Sequence, residues 1–178
     1  MKILLKRYPE KMALLVMLSL VLSAGCGGGV TTTPSAPGGP PADPKAVIAL
    51  NTSGSLSSGT TIGGLGITLN LPKSVTVTTD ANGNVDSSVV SASGVAAGQA
   101  TVITLYTGPS GTVGAKLHIV LASGSTGMPV GEFAKITCTV GMDGMPTAAD
   151  FSLSEFSPVD TNGAVIPTLT AGLSAVTP

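Results

Sequence analysis

The chain of 178 residues carries 8 basic and 9 acidic side chains, one histidine, two cysteines and no tryptophan. From Cys26 onward, Lys45, Lys73, Lys116 and Lys135 stand against eight carboxylates and no arginine, so there is no electrostatic footprint for nucleic acid. Cys26 and Cys138 are the only cysteines, which excludes a disulfide framework.

Met1 to Lys11 holds Lys2, Lys6, Arg7 and Lys11 against Glu10, a positively charged start. Met12 to Leu22 follows as an unbroken run of apolar and small residues. Such a run rises only about 16 Å as a helix, against about 30 Å for the hydrocarbon core of a bilayer. It suits the apolar region of an export signal and is too short for a span. Ser23, Ala24 and Gly25 then offer small side chains to a peptidase, with Cys26 directly after.

Leu22-Ser23-Ala24-Gly25-Cys26 resembles the lipobox of bacterial lipoproteins, with Leu22 one place earlier than usual. The resemblance implies cleavage between Gly25 and Cys26, lipid on the Cys26 thiol and amine, and a membrane as partner. One acyl chain binds a bilayer marginally, at about 0.8 kcal/mol per buried methylene, and several on one cysteine hold durably. Gly27 stands where enteric lipoproteins kept in the inner membrane carry Asp, which favours the outer membrane or cell surface. The expected organisation is a signal peptide over 1–25, a lipidated tether over 26–45 and one domain over 46–178.

The tether is rich in Gly, Pro and Thr and has no apolar periodicity, so it cannot bury enough surface to fold. As a flexible coil it reaches about 25 Å, and about 55 Å when extended in polyproline geometry.

From Ala46 the pattern turns to short strands. Ala46 to Leu50 is apolar, and Ile67, Leu69 and Leu71 alternate with Gly66, Thr68 and Asn70 up to Pro72. Val75 to Val77 follows, then an Asp80-Ala81-Asn82-Gly83 turn and an irregular stretch through Val89-Val90 and Val95. In Val102 to Tyr106, Ile103 and Leu105 share one face, while Val102, Thr104 and Tyr106 share the other. Leu117, Ile119 and Leu121 alternate with Lys116, His118 and Val120. Ala134, Ile136, Cys138 and Val140 point opposite to Lys135, Thr137 and Thr139. Phe151 and Leu153 open a strand that reaches a second turn at Asp160-Thr161-Asn162-Gly163, and Leu169 to Val176 closes the chain. Strands of this length and spacing predict an all-β, antiparallel β-sandwich.

Leu117-His118-Ile119-Val120-Leu121, together with Gly131-Glu132-Phe133-Ala134-Lys135-Ile136-Thr137-Cys138-Thr139-Val140, resembles paired strands of cohesin domains. Phe151-Ser152-Leu153 through Asp160-Thr161-Asn162-Gly163-Ala164-Val165-Ile166 is similar to the cohesin ending, and Gly66 to Pro72 to an early cohesin strand. Cys138 stands where that family carries an aromatic residue. The resemblance implies a jelly-roll sandwich that binds a partner through a sheet face, with an exported, dockerin-like protein as the first candidate. Related sandwiches bind polysaccharide, and a structural role by strand addition is the third expectation.

Chemistry is sparse. A lone histidine supports neither a metal site nor a Ser-His-Asp arrangement. The loop from Asp80 departs from a calcium loop, with Ser91 where the bidentate Glu belongs. No phosphate loop, nucleophile elbow or carboxylate pair is present, so no catalytic residue, cofactor or metal is assigned and no enzyme activity is expected. Tyr106, Lys116 and His118 form the candidate binding face, and Cys138 is expected to be a buried hydrophobe.

Overall fold

The computed structural model describes residues 43–178, except 143 and the side chains of 174 and 175. The leader, Gly25, Cys26 and the tether up to residue 42 lie outside the described residues.

Nine strands follow in order: β1 (Lys45–Gly54), β2 (Ile62–Asn70), β3 (Val75–Thr76), β4 (Val90–Ala92), β5 (Ala100–Thr107), β6 (Lys116–Ser123), β7 (Glu132–Val140), β8 (Ser152–Asp160) and β9 (Leu169–Thr177). They form two antiparallel sheets. In sheet A the order is β3-β7-β1-β9, with β4 sharing the β7 edge with β3; in sheet B it is β5-β6-β2-β8. The protein is an all-β sandwich.

Period-two alternation is what makes the two layers close. Ile48, Leu50, Ile136 and Cys138 of sheet A meet Leu65, Ile67, Leu69, Leu117, Ile119 and Leu121 of sheet B in one buried core. Phe133, Met128, Phe151, Ile166 and Leu169 close the core where strands end. The strands expected from alternation all occur, and several run longer: β1 continues to Gly54 and β2 begins at Ile62. Those extensions contain Gly64 and Asn51, residues of low strand propensity that pairing on both sides holds in place.

The two Asp-x-Asn-Gly turns have one geometry. In each, the Asp Oδ1 accepts the backbone N–H two residues on (2.8 Å) and four residues on (2.9 Å). Gly83 and Gly163 both sit at φ 83°, a left-handed conformation that glycine adopts without a Cβ clash. Each turn ends in a single bridge, Thr79 to Val85 and Val159 to Val165.

Candidate functional site

The outer face of sheet B is built from the residues that alternate away from the core. Reading across β5, β6, β2 and β8, one row is Thr107, Lys116, Asn70 and Ser152. The next is Leu105, His118, Thr68 and Ser154, followed by Ile103, Val120, Gly66 and Ser157. The last is Thr101, Ala122, Gly64 and Val159. Ile103 and Leu105 are exposed at 63% and 67%.

Gly64 and Gly66 leave the middle of this face without side chains. A groove of about 590 Å³ runs over them, flanked by Val120 and Ala122 on β6 and by Val159 on β8. A Cβ at Gly66 would come within 3.0 Å of Ser157 Oγ, so any larger residue there would narrow the groove.

Beside the groove lies a small polar assembly. The Thr68 hydroxyl is 2.5 Å from Glu155 Oε2 and 2.9 Å from His118 Nδ1. One hydroxyl proton cannot serve both neighbours. Thr68 donates to the carboxylate and accepts from His118 Nδ1–H. Thr68 is buried, and its proton and one acceptor position are already engaged. Chemically it positions its two neighbours and is poorly placed to attack a substrate.

Glu155 reaches Thr68 because β8 carries an extra residue there. Glu155 and Phe156 together stand opposite Ile67, between the Gly66–Ser157 and Thr68–Ser154 pairs. Phe156 turns to the core and Glu155 outward, at φ 56°, the one non-glycine residue in the left-handed region among the described residues. A carboxylate held in that conformation marks a site that the surrounding structure over-determines. Below it, Asn70 Nδ2 donates to Ser152 O, Ser152 Oγ and Ser154 Oγ at 3.2 Å each, tying β2 to β8.

Of the three residues expected to form one binding face, Lys116 and His118 do share the outer face of β6. Tyr106 does not join them. It pairs with inward-pointing Leu117 and packs against the core, half-buried, on the opposite side of the sheet. Burial pushes its phenol pKa up, opposed by a hydrogen bond from the Val77 backbone, with Cys138 nearby. Both faces of β5 are apolar, so alternation alone did not reveal which side is inward. Thr68, Glu155 and the two glycines carried no motif, because strand pairing alone assembles them from residues 50 to 87 positions apart.

Comparison with protein-family models, curated proteins and solved structures finds no match for this chain.

Elsewhere, Cys138 is buried between Ile136 and Val140, and desolvation pushes its thiol pKa up to about 12. The carboxyls of Asp80 and Asp160 are held below the ordinary range, chiefly by hydrogen bonds from Asn84 and Ala164 respectively. Each satisfies its own loop. Among the described residues no group of three or more His, Cys, Asp or Glu side chains is placed to hold a metal ion.

Proposed function

We propose that this chain is a lipid-anchored cell-envelope protein that presents a protein-binding sandwich on a tether, at the outer membrane or cell surface. Cys26 carries the lipid, and the partner is an exported, dockerin-like protein. The lipobox-like run from Leu22 to Cys26 supports the anchor. Consecutive strands pass repeatedly between the two sheets, which supports a jelly-roll winding and the cohesin resemblance.

The observation that carries the binding reading is the outer face of sheet B. It combines exposed Ile103 and Leu105, a glycine-floored groove, and a fixed polar set at His118, Thr68 and Glu155. Apolar area beside a few oriented polar groups is the composition of a protein-recognition surface. A polysaccharide platform stacks sugar rings on exposed aromatics. Here Tyr106, Phe133, Phe151 and Phe156 all pack on the core, which favours a protein partner.

The test is affinity capture with the full chain from envelope extracts, comparing Val120→Glu on the groove wall with Lys135→Gln on the other sheet. The wild type and Lys135→Gln should retain one partner at fixed stoichiometry, and Val120→Glu should lose it. Retention on insoluble glycan, insensitive to Val120, would transfer the reading to polysaccharide binding. For the anchor, Cys26→Ser should abolish incorporation of labelled palmitate and release the protein from membranes.

A further inference from the structure

A sheet edge is an open row of backbone donors and acceptors, and most edges in this sandwich are blunted. On β7, the shared edge is taken by β3 and β4, of two and three residues. β8 is interrupted by the Glu155 bulge and Pro158, and its far end is covered where Asp160 N–H and Ile166 N–H donate to Ala164 O and Pro158 O. β9 shifts register opposite Ala49 and Leu50, which bends that edge.

β5 has none of these devices. All eight of its residues pair in unbroken register with β6, and it contains no charge, no proline and no glycine. Among the described residues, no backbone group hydrogen-bonds to its other edge. Its inward residues Val102, Thr104 and Tyr106 are only half-buried, and β4 approaches β5 without bonding its backbone.

The sequence of β5 says what fits there. Thr101-Val102-Ile103-Thr104-Leu105-Tyr106-Thr107 reads as a palindrome of threonine and apolar positions centred on Thr104. Antiparallel pairing of two such strands about a two-fold axis sets Thr104 opposite itself, Ile103 opposite Leu105, Val102 opposite Tyr106 and Thr101 opposite Thr107. Every position then meets its own class, and an isologous contact needs that self-complementarity. The pair also brings the exposed Ile103 and Leu105 of both copies into one cluster, on the face where cross-strand neighbours contribute.

We infer that two copies of this chain pair through β5, joining their B sheets into one eight-stranded sheet centred on Thr104. This inference rests on the β5 edge and stands apart from the nature of any partner on the outer face.

The experiment uses the full chain and tests the register. Residues directly opposite in an antiparallel pair have Cα atoms about 4.5 to 5.5 Å apart, within disulfide reach. Thr104→Cys should give a disulfide-linked dimer under mild oxidation, and Ile103→Cys alone should not, because it faces Leu105 of the second copy. The buried Cys138 of the untreated sequence provides the control. In sedimentation, the pair Ile103→Lys with Leu105→Lys places like charges opposite and should weaken dimerisation at least about tenfold. Ile103→Lys with Leu105→Glu places opposite charges together and should keep the dimer. A wild type that sediments as a monomer with no Thr104→Cys crosslink overturns the inference. So does equal loss in both charged pairs, which would indicate unspecific apolar contact.

Discussion

The two sheets contribute alike to the core and differently to solvent. Outward from sheet A stand Lys45, Val47, Lys135, Thr137 and Thr139, with Val47 opposite Thr137 and Lys45 opposite Thr139. Its ion pair, Lys135 with Glu132 at 3.8 Å, is an exposed contact of little energetic weight. Sheet B turns outward a glycine groove, exposed Ile103 and Leu105, and a buried hydroxyl held between histidine and carboxylate. A β-surface that only needs to be soluble resembles the first. Departures from that pattern are concentrated on one face, the one proposed above to meet a partner.

If the difference is confined to the outer faces, matched core truncations should cost the same on both sheets. Ile136→Ala in sheet A and Ile119→Ala in sheet B, both fully buried, should each lose about 3 kcal/mol in urea denaturation. Two separate unfolding transitions in either variant would mean the sheets do not share one cooperative core.

Cys138 tests the inner face of sheet A by pH. Its folded pKa, about 12, lies above the ordinary value of 9.0. A raised pKa means its contribution is complete below the unfolded pKa and is lost as pH rises from about 9 toward 12. Relative to Cys138→Ala, the wild type should lose stability across that window by on the order of 1 kcal/mol per pH unit. Iodoacetamide should label the folded chain slowly at pH 8 and the urea-unfolded chain quickly.

A matched pair of outward threonines isolates the polar site. Thr68→Val removes the hydroxyl between Glu155 and His118 and should cost about 1–2 kcal/mol. Thr137→Val, on the plain face, should stay within about 0.5 kcal/mol of the wild type. Equal effects would remove the distinction between the faces.

Smaller still is the effect of the Glu155 backbone. Glu155→Ala loses the bond to Thr68 and keeps the positive φ, whereas Glu155→Gly loses the bond and relieves the conformation. The glycine variant should be the more stable of the two by about 1 kcal/mol in thermal or urea melts. If both are equally stable, the strain at residue 155 is negligible.

Most of the fold was legible in alternation. Ile67 with Leu69, Leu117 through Leu121 and Ala134 through Val140 point where the two-residue period puts them, and Cys138 is buried with its neighbours. The site was legible only in part. Lys116 and His118 fell on one face because the residues that alternate with them, Leu117, Ile119 and Leu121, are strongly apolar. Tyr106 was turned inward because β5 is an edge strand apolar on both sides, where the period fixes pairs of residues and leaves the inward side open. Glu155 was hidden by the bulge, since one inserted residue breaks the count on which such an assignment depends. Gly64 and Gly66 carry no side chain to signal a site in sequence, and become a groove floor only once β6 and β8 flank them.

The two Asp-x-Asn-Gly turns offer the finest test, because they flank different sheets with one geometry. Thr79 to Val85 leads to β4 of sheet A, and the Val159 to Val165 turn follows β8 of sheet B. Hydrogen bonds from their own loops depress the carboxyl pKa at both Asp80 and Asp160 below 3.8, so each contributes stability above that value and loses it as pH falls through the folded pKa. Asp80→Asn and Asp160→Asn keep an acceptor for the backbone N–H groups and remove the titration. Each should therefore reduce the drop in thermal midpoint between about pH 5 and pH 2, and the double variant should reduce it by the sum, since the loops share no partner. Asp86 and Asp150, whose carboxyls are also depressed, supply the slope that remains. A double variant with an unchanged acid slope would show that the loop carboxylates are protonated at the same pH folded and unfolded. The common geometry would then be set by Gly83 and Gly163 alone.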